Sequence, residues 1–309
     1  MGDSGVIVKS AEVAAPSGTP ISVRALRSVL ADFVTLTKPR VNVLVVFTTF
    51  VGLRVAAPAA DLALLVHTLV GTALVASGAA AFNQVLERDV DARMRRTRAR
   101  PLPDARLGVL EAVWFAVVLS AAGLVELALG ANLLAAGVAL ATIASYALAY
   151  TPLKRVTSLS TVVGAVPGAL PPVIGWTAGR GELSIEAAIL FAIVFLWQMP
   201  HVLAVSWLYR EDYERGGIRV LPVVEPDGAS TARQTVTYSA ALIPVSLVPV
   251  LVGLGGGIYV SGALVAGFGM LLASVEFARQ RTAARARRLF VISIFYLPAL
   301  WILLLIDRV

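Results

Sequence analysis

Residues 63–91 read ALLVHTLVGTALVASGAAAFNQVLERDVD, and this stretch says what kind of protein the chain is. Its first part, 63–86, is apolar and long enough to cross the roughly 30 Å hydrocarbon layer of a bilayer as a helix. At the end of that helix Asn83, Glu87 and Asp91 are spaced i, i+4, i+8. Each four-residue step on a helix turns about 400° and rises about 6 Å, so the three side chains climb one face within roughly 80° of arc. An oxygen ladder of this kind suits a hard cation such as Mg²⁺. Arg93, Arg95, Arg96, Arg98 and Arg100 follow at once, and guanidinium groups suit the phosphate oxygens that such a cation would bridge. The combination implies a diphosphate-handling enzyme embedded in lipid.

Working outward, the rest of the chain agrees with a membrane protein. Over 309 residues it is 58% hydrophobic and 15% charged, with a mean hydropathy of +0.83, too oily for a soluble globule. Apolar segments predict nine transmembrane helices at about 40–57, 63–86, 108–128, 131–151, 159–178, 185–207, 236–254, 257–277 and 289–306. The expected fold is all-α, around a central cavity open to the cytoplasmic face, because helices satisfy the backbone inside lipid and no period-2 alternation suggests a barrel. Every Lys and Arg except Arg54, Arg180 and Arg308 falls on the N-terminal side of this alternation. The positive-inside rule then puts the N-terminus in the cytoplasm and Val309 outside, in a prokaryotic cytoplasmic membrane. The net charge of +7 is a topology signal, and no basic soluble surface for nucleic acid is visible. With no cysteine, disulfides, thiolate metal sites and thiol catalysis are excluded. Residues 1–30 mix Ser, Gly, Pro and Ala with scattered charge and read as a flexible cytoplasmic arm ahead of a single membrane domain, 31–309.

A second polar cluster closes the sixth span. Trp197, Gln198, Pro200 and His201 are followed by Trp207, Tyr209, Glu211, Asp212, Tyr213 and Glu214. His201 and Asp212 are eleven residues apart, three helical turns, which puts them on nearly the same face. A lone histidine in an apolar segment usually only packs. Of the two in this chain, His201 stands among aromatic and acidic residues, whereas His67 reads as background. Lys38 and Arg40 flank Pro39 before the first span, and Lys154 and Arg155 follow the fourth. All four could be interfacial anchors, but their common side makes one electropositive mouth. The two polar clusters stand about 120 residues apart, so a four-plus-four helix repeat with one extra helix would bring them together across a central cavity.

Several motifs carry a resemblance. They are Thr37-Lys38-Pro39-Arg40; Asn83-x3-Glu87-Arg88-Asp89-x-Asp91 with Met94-x-Arg96-Thr97-x3-Pro101-Leu102; Tyr150-Thr151-x-Leu153-Lys154-Arg155-x-Thr157; Gly164-x2-Pro167-Gly168-Ala169-x-Pro171-Pro172-x2-Gly175-Trp176; Trp197-Gln198-x-Pro200-His201; and Tyr209-x2-Asp212-Tyr213-x2-Gly216-Gly217. From about Thr35 to Val223 the chain resembles the protohaem IX farnesyltransferases (haem O synthases) of the intramembrane UbiA-type prenyltransferase superfamily. The resemblance implies a nine-helix fold, farnesyl diphosphate as donor, haem B as acceptor, Mg²⁺ as cofactor and a haem A synthase as partner. It further implies Mg²⁺ ligation by Asn83, Glu87, Asp91 and Asp212, with diphosphate bound by Lys38, Arg40, Arg96, Lys154 and Arg155. Trp197, His201, Trp207 and Tyr209 are the expected haem contacts, the two tryptophans flanking the macrocycle. His201 would orient haem, ligate it or move a proton. The segment with Glu211, Asp212 and Glu214 lacks the i, i+4 acid pair of quinone-prenylating relatives, which favours haem and leaves open which acid completes the metal site. The rival readings are a quinone-precursor prenyltransferase and a transporter with a charged inner gate.

Overall fold

The computed structural model describes residues 23–308, and the expected cytoplasmic arm lies outside them as far as residue 22. Its last part, 23–30, belongs to an amphipathic helix, α1 (Val23–Leu36). The Gln84 amide donates to the Leu36 carbonyl (2.8 Å), and Arg106 pairs with Asp32 (3.0 Å), pinning α1 against the spans. Val29, Leu30 and Val34 stay exposed, as in a helix lying in the membrane interface.

The remaining helices are α2 (Pro39–Ala56), α3 (Leu62–Leu86), α4 (Arg88–Arg93), α5 (Val109–Gly130), α6 (Leu133–Ala144), α7 (Thr151–Leu153), α8 (Ser160–Ala169), α9 (Pro171–Arg180), α10 (Ile185–Leu208), α11 (Arg210–Gly216), α12 (Leu221–Val224), α13 (Ala229–Leu251), α14 (Gly257–Arg279) and α15 (Ala283–Ile306). A π turn, Ser145–Tyr150, joins α6 to α7. Among the described residues, nine helical stretches are long and apolar enough to cross a membrane, as the hydropathy pattern predicts. The chain is an integral membrane protein. Two boundaries differ from the expectation: α13 and α15 begin seven and six residues before the predicted starts at 236 and 289. Both helices continue past the hydrocarbon edge through Arg233 and through Arg285, Arg287 and Arg288, where hydropathy no longer reports them. The fifth span is broken at Leu170 into α8 and α9, where Pro171 and Pro172 each remove a backbone donor.

Helices α2, α3, α8, α10 and α15, together with the π turn, touch in sequence, and α15 meets α2 again, so they close a ring. Helix α5 packs outside on α3, α9 lies along α2, and α13 and α14 back α10 and α15. The outer wall is apolar, with Val43, Leu110, Trp114, Val265 and Phe295 exposed to what would be lipid, while Thr48, Thr49, Thr72 and Ser246 are buried inside. With lipid tails as apolar as the interior, packing depends on close approach and polar contacts. Ser246 and Tyr296 share a hydrogen bond (2.8 Å), as do Ser239 and Ser274 (2.8 Å).

The closest approach is between α2 and α9. A Cβ on Gly52 would strike the Pro172 carbonyl, and one on Gly175 would strike the Thr49 carbonyl. Thr49 also donates to the Pro171 carbonyl across this seam (3.0 Å). Overpacking costs about 1–3 kcal/mol in cores that can yield, and here the obstacle is backbone. Gly175→Leu is expected to lower the midpoint of thermal unfolding in detergent sharply or to prevent recovery of monodisperse protein. Gly269→Ala, with open space around it, should match the parent in the same assay.

Candidate active site

Helix α3 ends at Leu86 and α4 starts at Arg88, yet the ladder survives the junction. The Glu87 amide donates to the Asn83 carbonyl (3.0 Å) and the Asp91 amide to the Glu87 carbonyl (2.8 Å), so the i, i+4 register carries through. Asn83, Glu87 and Asp91 are 2%, 8% and 1% exposed. Each meets a cation from a different part of the chain. Lys38 Nζ donates to Asn83 Oδ1 (2.6 Å), Lys154 Nζ to Glu87 Oε1 (2.6 Å), and Arg100 to Asp91 Oδ2 (2.6 Å). These groups line a cavity of about 140 Å³, which Arg96 also reaches.

The backbone positions these cations at a cost. Lys38, in the joint between α1 and α2, has φ 49° and ψ 60°, left-handed and immediately before a proline, where helical conformations are disfavoured. Such a conformation costs of order 1–3 kcal/mol and persists where the surroundings demand it. Here it turns the side chain inward to Asn83. Burial, reinforced by repulsion from Arg100 and Lys154, lowers the Lys38 pKa to about 7, against the pull of Glu87 and Asp91. An entering anion would restore its charge. Burial also works against the Lys154 ammonium, but Tyr150 and Glu87 outweigh it and hold its pKa above the ordinary lysine value. The π turn sets Tyr150 under that ammonium (4.3 Å) with Tyr146 beside it (5.3 Å between rings). Extra residues of this kind inside helices occur often at functional sites.

The second cluster is arranged differently from the expectation. Helix α10 stops at Leu208 and α11 starts at Arg210; the Tyr209 and Tyr213 amides still donate to the Val205 and Tyr209 carbonyls (3.0 Å each), yet His201 and Asp212 meet different partners. Asp212 is not in the cavity wall. Its carboxylate accepts from the Arg95 and Arg96 amides (3.1 and 3.3 Å) and from Arg215. Burial would raise its pKa, but these hydrogen bonds prevail and lower it. Asp212 is thus the anchor of the arginine loop, and Glu211 and Glu214 are exposed outside the cavity. Arg40 and Arg155 are exposed as well and contribute no lining. Trp207 packs edge-on against Phe277 (5.7 Å) beneath Arg210 (4.8 Å), whereas Trp197 stacks on His201 (5.2 Å). Ten helical residues turn about 1000°, so the two tryptophans face different neighbours and form no sandwich. Tyr209 is 41% exposed and carries the Arg96 guanidinium over its ring (4.8 Å).

Two cavity tyrosines are not singled out by the sequence. Tyr150 stands i, i+4 from Lys154, a same-face spacing that could have flagged it. Tyr146 is one π turn earlier, a geometry without a sequence signature. Arg100 is one of five arginines suited to phosphate, and the fold picks it out by its bond to Asp91.

The donor set fits a magnesium ion. Asp91 Oδ1 is buried with no hydrogen-bond partner, an orphaned carboxylate oxygen beside Glu87 and Asn83. Among the described residues no three His, Asp or Glu side chains gather into a protein-only metal cage. Mg²⁺ is usually held by one or two carboxylates together with substrate phosphates and water, and this arrangement meets that requirement.

Known proteins share this architecture. Residues 45–300 match the model of the UbiA prenyltransferase family. The chain is 50% identical over 289 residues to the protoheme IX farnesyltransferase of Solibacter usitatus, covering 90% of this chain and 99% of that one. A digeranylgeranylglyceryl phosphate synthase structure superposes with a TM-score of 0.76 at 15% identity, over 90% of this chain and 98% of that one. A UbiA homologue from Archaeoglobus fulgidus bound to GPP and Mg²⁺ does so with a TM-score of 0.62 at 17% identity, over 88% and 99%.

Proposed function

The chain belongs to the UbiA prenyltransferase family, and from that premise we propose that it transfers the farnesyl group of farnesyl diphosphate to a vinyl group of haem B. The carbon–oxygen bond to diphosphate breaks, a carbon–carbon bond forms to the terminal vinyl carbon, and water adds to the inner one. A proton and diphosphate leave, and the product is haem O, whose expected recipient is a haem A synthase. The observation that carries the chemistry is the buried Asn83–Glu87–Asp91 ladder ringed by Lys38, Arg100 and Lys154. The naming of the Solibacter relative supports haem as acceptor.

Fixed positive charge where negative charge grows is the main means by which such a site lowers a barrier. Lys38, Arg96, Arg100 and Lys154 would bind the diphosphate, and the rings of Tyr146 and Tyr150 would keep water from the allylic carbon. Glu87 and Asp91, with Asn83, would hold Mg²⁺, which when bound neutralises the departing diphosphate as a Lewis acid. The ion in the Archaeoglobus homologue supports this.

The site would face the cytoplasm, because the basic residues cluster at the same end of the spans as the cavity. The cysteine-free chain allows a direct test. A single cysteine at Ser158 should react with an impermeant maleimide only from the cytoplasmic side. For the reaction, mass spectrometry of haem B incubated with farnesyl diphosphate, Mg²⁺ and the purified protein should show haem O. Prenylated 4-hydroxybenzoate with unaltered haem would overturn the acceptor. Solute flux without diphosphate release would overturn the enzyme reading.

A further inference from the structure

We infer that Gly164 is a positioning residue for the diphosphate site. By leaving its face of α8 bare it seats the Tyr150 ring, and through that ring the Lys154 ammonium, where the reacting end of the donor is bound and shielded from water. The inference rests on the diphosphate-cleaving reaction proposed above and adds a residue outside the cavity lining.

Gly164 lies inside α8, at the head of the segment Gly164-x2-Pro167-Gly168. Ser160 and Thr161, four and three residues earlier, both line the cavity, so Gly164 shares their helical face. A Cβ placed on it would stand 2.5 Å from both Cδ2 and Cε2 of Tyr150 and 2.9 Å from Cζ. The ring thus fills the volume that a side chain at 164 would take. At Gly52 and Gly175 a Cβ would meet the backbone of a neighbouring helix, and close helix approach is the ordinary use of glycine in a membrane span. At Gly164 it would meet a side chain of the cavity wall.

Much depends on that ring. Tyr150 ends the π turn, with the Lys154 ammonium 4.3 Å from its centre and the Tyr146 ring 5.3 Å away. Lys154 in turn donates to Glu87 (2.6 Å). Tyr146, Tyr150, Lys154 and Glu87 all line the cavity, so contacts run without a gap from the bare face of α8 to the acidic ladder. A tyrosine ring is a rigid plate on two torsions and cannot fold out of the way. Carbon atoms settle about 3.5–4.0 Å apart, so a methyl group at 164 would drive the ring about 1 Å from its seat.

Two distinct losses follow from such a shift. The bond between Lys154 and a phosphate oxygen depends on distance and angle, so the donor is held less well. The ring also leaves the allylic carbon open to water. The carbon–oxygen bond to diphosphate still breaks, but a water oxygen bonds to the farnesyl carbon and gives up one proton. Farnesol and diphosphate are then formed in place of haem O. A glycine that served helix packing alone would affect stability and leave this partition between transfer and hydrolysis unchanged.

The test uses full-length protein in detergent with farnesyl diphosphate, haem B and Mg²⁺. It reads diphosphate release, haem O, farnesol and the midpoint of thermal unfolding. A misplacement of about 1 Å can cost about 100-fold. Gly164→Ala should accordingly lower kcat/KM for farnesyl diphosphate by about that factor, with KM up about tenfold and the farnesol to haem O ratio up about fivefold or more. Gly267→Ala meets the Ile243 side chain between α13 and α14, outside the cavity lining. It should lower the midpoint and leave KM and the ratio at the parent's values. Tyr150→Ala should raise both KM and the ratio, and adding Gly164→Ala to it should change either by less than about twofold, because effects that act through one contact are not additive. Parent-like KM and ratio in Gly164→Ala, or full additivity with Tyr150→Ala, would overturn the inference. Should Gly164→Ala fail to fold, the double variant should recover folded protein, and its failure to do so would overturn the inference as well. If the parent releases diphosphate and farnesol but makes no haem O, the haem reading fails, and Gly164 is still judged on KM and diphosphate release. A parent that never cleaves farnesyl diphosphate would overturn both.

Discussion

Asp91→Asn and Glu87→Gln each reduce farnesyl transfer by more than about 100-fold, while the protein still inserts and remains monodisperse. Loss of an outer-sphere partner of a metal site typically costs 10–100-fold, and these carboxylates are placed to touch the ion itself. The substitutions keep volume and one acceptor oxygen, so Arg100 can still donate to residue 91 and Lys154 to residue 87. What is removed is the negative charge, and in Asp91 the orphaned Oδ1. Excess Mg²⁺ should recover part of the activity, because the defect is in affinity. Diphosphate release measured across a Mg²⁺ series checks both points. Activity within about threefold of the parent would sink the metal assignment. Asp212→Asn serves as the contrast: it should disturb the arginine loop that Asp212 anchors and leave the Mg²⁺ dependence as it was.

Lys154→Ala raises the KM for farnesyl diphosphate by about 10–100-fold, while Arg155→Ala stays within about twofold. A hydrogen bond to a charged group contributes about 1.5–3 kcal/mol, and each 1.4 kcal/mol is tenfold in affinity. Lys154 points into the cavity and bonds Glu87, whereas its neighbour is exposed outside it. The substitution also strands Glu87 as a buried carboxylate without its partner, which costs about 3–5 kcal/mol when such a pair is broken. Glu87→Gln added to Lys154→Ala should therefore regain thermal stability without regaining activity. Equal effects at 154 and 155 would mean that both are membrane anchors.

Both predictions separate neighbours that the primary structure presents as equals, and this marks where reading the chain by itself reached its limit. Composition and hydropathy determined the nine spans, because burial of apolar surface in lipid leaves a periodic record along the chain. The ladder was legible for a similar reason. Asn83, Glu87 and Asp91 are neighbours through one helix, and local geometry fixes their common face, even across the break at Glu87. Which cation meets which rung of that ladder was not legible. Lys38, Lys154 and Arg100 come from three separate segments, and only the closed ring of helices places them within 2.6 Å of it. The left-handed turn at Lys38 and the π turn before Tyr150 aim side chains by departing from regular helix, which no periodic pattern encodes. The helical count from His201 to Asp212 gives a common face but no common partner. Asp212 meets the backbone of the arginine loop and His201 meets Ser293. Sequence determines what each helix carries. Tertiary packing alone decides which side chain faces which, because contacts between distant segments depend on the rotation and break of every helix in the ring.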